Sequence, residues 1–272
     1  MRLVQGIGMQ KSGTTILRKI FESIGSNVIN REQQGLWGHE PPFSPIGYPV
    51  GTLYQKHNGT RGHVLDASDV DDEMRLHMQM PFINKTGWCY GKSPYGTVRI
   101  PFIKELYPDS VIVASVRNPI ANVYSIYKKF NSSDGGVEDG WWGVKPSNWK
   151  ELIREDSVEQ LALLWRDVNQ HILDDIDMVS FVLPYHELCT NPSLYVNQII
   201  SYVEGADVTT DINKYPKIGF FDDEYKKGAS VVSRNQSEAR VLNSKEFVEP
   251  FTDEQVKMVE DICMPLYNKL IQ

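Results

Sequence analysis

Apolar residues recur along this chain in two rhythms, short β-branched runs and longer stripes at helical spacing. Residues 3–7 form a short apolar strand that runs into glycine, and 12–24 then carry Ile16, Leu17, Ile20, Phe21 and Ile24 on one helical face. The chain therefore starts as strand, tight loop, helix. Residues 110–116 form a β-branched run that predicts a buried strand, followed by Arg117-Asn118-Pro119 and a helix to about Phe130, with Pro119 suited to the first helical turn. Residues 178–183 read as a third buried strand. Further helices are expected over 68–80, over 95–106 ahead of Pro108, over 157–176 with Leu161, Leu164, Trp165, Val168, Ile172 and Leu173 on one stripe, and over 191–203. A closing helix over 252–270 has Thr252 as its cap with Glu254-Gln255 close behind.

Between these elements lie three irregular stretches. Residues 26–66 are broken by Pro41-Pro42, Pro45 and Pro49, and 213–243 show no period. Residues 131–150 combine Asp134-Gly135-Gly136, Gly140, Gly143 and Pro146 with Trp141, Trp142 and Trp149, the composition of a lid carrying large anchors. Strands alternating with helices imply right-handed crossovers, so the expected class is α/β, one domain over 1–272, a central mainly parallel sheet flanked by helices. Ligands of such folds bind beyond the carboxyl ends of the strands.

Composition narrows the chemistry. The 272 residues hold 28 Lys plus Arg against 35 Asp plus Glu, a net charge of −7, which argues against nucleic acid or an anionic membrane as partner. Any anionic ligand must then be held by a local basic site. Cys89, Cys189 and Cys263 are too few and too scattered for a disulfide framework or a zinc site, and are expected as reduced thiols in a cytoplasmic protein. No apolar run approaches the roughly 20 residues of a membrane span, and the amino-terminal apolar stretch is too short for a signal peptide. His57, His63, His77 and His171 show no metal-ligand spacing.

The loop between the first strand and helix, Gly6-Ile7-Gly8-Met9-Gln10-Lys11-Ser12-Gly13-Thr14-Thr15, has backbone N–H groups and a helix end suited to cradling an anion. Its spacing mimics the nucleoside-triphosphatase loop G-x-x-x-x-G-K-[ST], but the lysine position is Thr14 and the lysine has moved inside, to Lys11. The strand at 111–116 runs into Arg117 where a magnesium-holding Asp would stand, so metal-assisted triphosphate chemistry is disfavoured.

Lys11-Ser12-Gly13-Thr14-Thr15 resembles the K-S-G-T-T signature of the sulfotransferases that use 3′-phosphoadenosine 5′-phosphosulfate. The resemblance implies a P-loop-like sulfotransferase fold in which Gln10, Lys11, Ser12, Gly13, Thr14 and Thr15 bind the 5′-phosphosulfate and Lys11 supports charge on the transferring group. Ser115-Val116-Arg117-Asn118-Pro119 through Tyr124-Ser125 is similar to the 3′-phosphate element of that family, with Arg117 and Ser125 as its ligands; a guanidinium fork suits a phosphate on its own terms. Gly91-Lys92-Ser93-Pro94-Tyr95 resembles the K-[ST]-P segment of the carbohydrate and protein-tyrosine branches, which implies that Lys92 stabilises the leaving phosphate oxygen opposite Lys11. Pro184-Tyr185-His186-Glu187-Leu188 with Asn191-Pro192 resembles the Y-E-D-L-x-x-x-P element, placing Tyr185 near the adenine. The resemblance covers residues 3 to about 204.

Transfer to a hydroxyl needs a base for the acceptor proton. By resemblance to related branches it falls in Leu36-Trp37-Gly38-His39-Glu40-Pro41-Pro42, where Glu40 is the first choice and His39 the alternate. Arg234, in the basic stretch 226–235, is placed like the late cap over the nucleotide in that family. Trp141, Trp142 and Trp149 suit either stacking on a sugar or aromatic acceptor or pinning their loop to the core. The expected activity is sulfuryl transfer to a hydroxyl of a carbohydrate or small molecule, without a metal. The alternatives are a metal-dependent P-loop kinase and a noncatalytic nucleotide binder of the same fold.

Overall fold

A run such as Val-Ile-Val-Ala-Ser-Val has no polar face to offer water, so it needs strand partners on both edges and a layer on each side. Strand β4 (Val111–Val116), buried along its whole length, has both. The computed structural model describes residues 2–23, 27–29, 60–79, 86–131, 140–205 and 251–272. In it β1 (Arg2–Ile7), β2 (Asn27–Ile29), β3 (Trp88–Lys92), β4 and β5 (Phe181–Pro184) form one sheet in the order β2-β3-β1-β4-β5, every pair parallel.

The pleat divides the core into two layers. On one face Val4, Tyr90, Val111 and Val113 meet Ile16, Leu17, Ile20 and Phe21 of helix α1 (Thr14–Ser23). The same face takes Leu188, Val196, Ile199 and Ile200 from the helices over Tyr185–Thr190 and Pro192–Glu204. On the other face Leu3, Ile7, Ile112 and Ala114 pack under the helices Ile100–Leu106, Pro119–Phe130, Ser157–Asp174 and Asp253–Leu270. The expected Thr252 cap forms as a reciprocal box: Thr252 Oγ1 accepts from the Gln255 amide at 3.2 Å, and the Gln255 side chain accepts from the Thr252 amide at 3.1 Å. Asn118 caps Pro119–Phe130, with Pro119 in its first turn.

Several expectations are corrected. β2 and β3 do not read as strands in the sequence: Trp-Cys-Tyr-Gly-Lys has no clean alternation, and Asn-Val-Ile is too short to signal anything. Pairing creates them, with Val4 opposite Tyr90 and Gly6 opposite Lys92. Residues 27–29 are therefore strand within the stretch read as irregular; most of that stretch, like 213–243, lies outside the described residues. The helix expected over 68–80 is a 3-10 turn, Ala67–Asp69, followed by Asp72–Gln79, and its cap is Asp66, whose carboxylate accepts from the Ser68 amide at 2.8 Å. The helix expected over 95–106 splits into a 3-10 turn Pro94–Val98 and Ile100–Leu106. Pro101 explains the break: it lacks an N–H and its ring cannot follow a continuous preceding turn.

The described part of 131–150 is an anchor, not a lid. Trp141 is 1% exposed, its Nε1 donates to Val144 O at 3.0 Å, and its ring meets Trp149 edge-on at 5.8 Å. Trp149 is buried too, and Trp142 packs half-buried against the same core. Burial settles the choice for these rings: Trp141 and Trp149 have no face left for an acceptor. Trp141→Ala should cost about 3–5 kcal/mol in equilibrium denaturation, as expected for truncating a filled core site; a loss below about 1 kcal/mol would contradict this anchoring.

Candidate functional site

The strands set the site before any side chain does. Register puts Gly6 beside Lys92, Ile7 beside Ala114 and Val116 beside Pro184, so β3, β1, β4 and β5 all finish on one edge. The chain turns away from that edge at Ser93, Gly8, Arg117 and Tyr185, which brings all four sequence motifs together. Between β1 and β4 the strand order reverses, the place where open parallel sheets leave a crevice.

The loop over 8–13 is held from outside by its carbonyls. Asn122 Nδ2 donates to Gln10 O at 2.9 Å, Arg117 Nη1 to Lys11 O at 2.9 Å, and Ser115 Oγ to Ser12 O at 2.6 Å. In a planar trans peptide the N–H opposes the C=O, so the Lys11 and Gly13 amides face away from β4 and its helix. That leaves donors on the cleft side, as an anion site requires. Gly8 N donates to Thr97 Oγ1 at 2.9 Å and fixes the start of the loop. Gly8 and Gly13 have φ of 138° and 101°, and Lys11, at φ 67°, is held in the left-handed region that costs a non-glycine residue about 1–2 kcal/mol.

Cations converge on this cradle. Lys92 Nζ donates to Thr15 Oγ1 at 3.1 Å. Burial, then the charges of Arg18 and Lys11, push the Lys92 amine down to about 8. Lys11 is exposed, yet desolvation lowers its amine most, followed by the charges of Lys129 and Arg117. Lys128 is lowered by desolvation, Arg117 and Lys11. Arg117 is lowered by burial against a smaller opposing effect of Tyr185, over whose ring its guanidinium lies at 4.9 Å. Desolvation is the largest cause for all four, and neighbouring cations add to it for Lys11, Lys92 and Lys128, a pattern that suits an anionic ligand.

Gln10, Lys11, Ser12, Gly13, Thr14, Thr15, Lys92, Arg117 and Tyr185 are thus brought together. Tyr185 is placed more tightly than expected: its ring lies against Gly13, where a Cβ would overlap it. Ser125, half-buried, is on the polar stripe of Pro119–Phe130 that also carries Asn122 and Lys129 at i−3 and i+4, opposite the buried Val123 and Ile126. His39, Glu40 and Arg234 lie outside the described residues. Sequence reading missed Asn122, Ser115, Thr97, Arg18, Lys128 and Lys129. The spacing of Asn122, Ser125 and Lys129 along one helical face was a usable signal; the others depend on tertiary pairing.

The cradle fits an oxyanion. Ser12 Oγ and Ser93 Oγ are buried with no hydrogen-bond partner among the described residues, hydroxyls that a ligand oxygen would satisfy. Gly8 is so close to the loop hydroxyl that a Cβ there would stand 2.7 Å from Ser12 Oγ.

The fold and the loop together define an α/β protein with a P-loop-like turn. The chain belongs to the sulfotransferase family, whose profile matches residues 4–207. No curated protein sequence matches it. Among solved structures, it is similar to the sulfotransferase domain of the olefin synthase of Synechococcus PCC 7002 (14% identity, TM-score 0.46, covering 96% of this chain and 94% of that one). It is also similar to sulfotransferase STF1 of Mycobacterium tuberculosis H37Rv (12% identity, TM-score 0.43, covering 92% and 76%). A third is sulfotransferase STF9 of Mycobacterium avium (11% identity, TM-score 0.45, covering 94% and 76%).

Proposed function

We propose that this protein transfers a sulfuryl group from 3′-phosphoadenosine 5′-phosphosulfate to a hydroxyl of a carbohydrate or small-molecule acceptor. The observation that carries this reading is the gathering of Lys11, Lys92 and Arg117 at one sheet edge, with Arg18, Lys128 and Lys129 close by, in a chain of net charge −7. The donor, when bound, supplies an activated sulfuryl group on a phosphate leaving group.

In this reading Lys11, Ser12, Thr14 and Thr15 hold the phosphosulfate, and Lys92 stands at the leaving phosphate oxygen. Arg117 and Ser125 hold the 3′-phosphate; one guanidinium N–H is committed to Lys11 O, which ties the two anion sites into one rigid unit. Tyr185 borders the base. Glu40, or His39, takes the acceptor proton. Fixed cations aimed at developing charge remove several kcal/mol of barrier without a metal. A P-loop kinase would carry a carboxylate where β4 ends, and this chain carries Arg117.

Calorimetric titration with adenosine 3′,5′-bisphosphate, against ATP plus magnesium, tests this. The bisphosphate should bind at least about tenfold more tightly at pH 7, with labelled donor turned over on a hydroxyl acceptor. Its affinity should fall as pH rises above about 8, because an anion raises the Lys92 pKa and binding above that pH must take up a proton. Folding of the unliganded chain has the opposite sign: between about 8 and 10.5 the unfolded lysine binds more protons, so stability rises with pH there. Tighter binding of ATP plus magnesium would overturn the reading in favour of the kinase.

A further inference from the structure

On its β4 side the loop over 8–13 is pinned by Asn122, Arg117 and Ser115, which donate to its carbonyls. On its β3 side it meets a different kind of tether. β3 ends at Lys92, and after Ser93 the chain enters the 3-10 turn Pro94–Val98. That turn is stiff: Pro94 fixes its own φ, Gly96 N donates to Ser93 O at 3.1 Å, and Arg99 N donates to Gly96 O at 3.1 Å. It is also docked on β1. Ser93 N donates to Gly6 O at 3.1 Å, and Gly96 lies so close to β1 that a Cβ there would stand 2.8 Å from the Ile7 side chain. Thr97, fully buried, then accepts the Gly8 N–H on its Oγ1 at 2.9 Å. Gly8 is thus wedged between its two neighbours, with Thr97 on its amide and the Ser115 carbonyl oxygen where a Cβ would overlap it.

We propose that Thr97 is a positioning residue for donor binding: by holding the Gly8 amide it locks the loop that carries Lys11 to the turn that follows Lys92, so that the two lysine-bearing segments keep one spacing. Being buried, it acts through Gly8 and not on the ligand. The identity of the ligand rests on the sulfotransferase reading, whereas the lock is a property of the unliganded chain. The loop needs it because its backbone is strained. Lys11 sits at φ 67° and Gly8 at φ 138°, and such conformations persist only while their surroundings over-determine them. With the Thr97 acceptor removed, a buried N–H is left unpaired, and the Ile7–Gly8 peptide rotates to relieve it. That rotation carries the following loop amides away from the turn, and a displacement of about 1 Å in a positioned site can cost on the order of a hundredfold in rate.

Thr97→Val and Thr97→Ser separate this role from packing. Valine keeps the branched shape and removes the acceptor; serine keeps the acceptor and drops a methyl group. Calorimetric titration of the full chain with adenosine 3′,5′-bisphosphate should show T97V weakened by about tenfold or more and T97S within about twofold of the unmodified protein. A residue that only packs would give the reverse order, since serine is the variant that leaves a void. Hydrogen exchange of the unliganded chain, read at the Gly8 amide, should show protection in the unmodified protein and in T97S, and exchange faster by about tenfold or more in T97V. The inference is overturned if T97V binds the nucleotide as tightly as the unmodified chain, if T97S loses as much affinity as T97V, or if Gly8 stays protected in T97V. Should T97V fail to fold by circular dichroism, Thr97→Ala takes its place in both measurements. If the unmodified chain does not bind the bisphosphate, the donor assignment fails and exchange alone decides the lock: protection lost in T97V upholds it, and protection kept overturns it.

Discussion

Lys92→Met should lower turnover of labelled donor by about two to three decades while weakening adenosine 3′,5′-bisphosphate binding by less than about tenfold. Methionine keeps the long stem that packs between α1 and β3 and removes only the charged end. Much of the ground-state anion charge would still be met by Lys11 and Arg117, so affinity for the product nucleotide changes little. What disappears is the donor at the oxygen where charge develops, and a fixed cation in a dry site matters most there. The seat on Thr15 Oγ1, 3.1 Å away, makes the amine well ordered before any ligand arrives. Activity within threefold of the unmodified protein would show that Lys92 is not aimed at the reacting group.

Gly8→Ala should destabilise the fold by about 2–4 kcal/mol and remove bisphosphate binding by a factor of roughly a hundred or more. At φ 138° an L side chain is strained whatever space it finds, and the added Cβ would overlap the Ser115 carbonyl oxygen. That oxygen belongs to the backbone of a central strand, with Ser115 paired to Leu183, so it cannot retreat without disturbing the sheet. Gly13→Ala is the informative contrast. Its Cβ meets the Tyr185 ring, a side chain that can rotate aside, at a φ of 101°. Denaturant melts should therefore rank G8A below G13A, while both lose anion affinity because both distort the cradle; the reverse ranking would mean that β4 yields more easily than the Tyr185 ring.

Part of this candidate site is written in local patterns: Lys11 lies inside a glycine-bearing turn and Arg117 at the end of a β-branched run, and the structure joins them through the Arg117 Nη1 donation to Lys11 O, whereas Ser125 is chosen by resemblance. Lys92 was legible only by resemblance, because nothing in Trp-Cys-Tyr-Gly-Lys announces a strand until β1 lies beside it. The tryptophans of 141–149 show the converse. Their glycine- and proline-rich surroundings suggested a lid, whereas the Trp141 ring is enclosed and its N–H satisfied within the same turn.

By itself the sequence determined the strand-loop-helix opening, the glycine-bearing turn with a lysine inside it, the amphipathic helices and the Thr252 cap, since each depends on neighbours within a few positions. Tertiary structure alone decided which cations face one another. Lys11, Arg18, Lys92, Arg117 and Lys129 come from widely separated stretches of chain, and Coulomb interaction falls with distance in space, not along the sequence. Parallel pairing of β3 and β4 against β1 supplies that proximity, and it is a long-range choice that no local window contains.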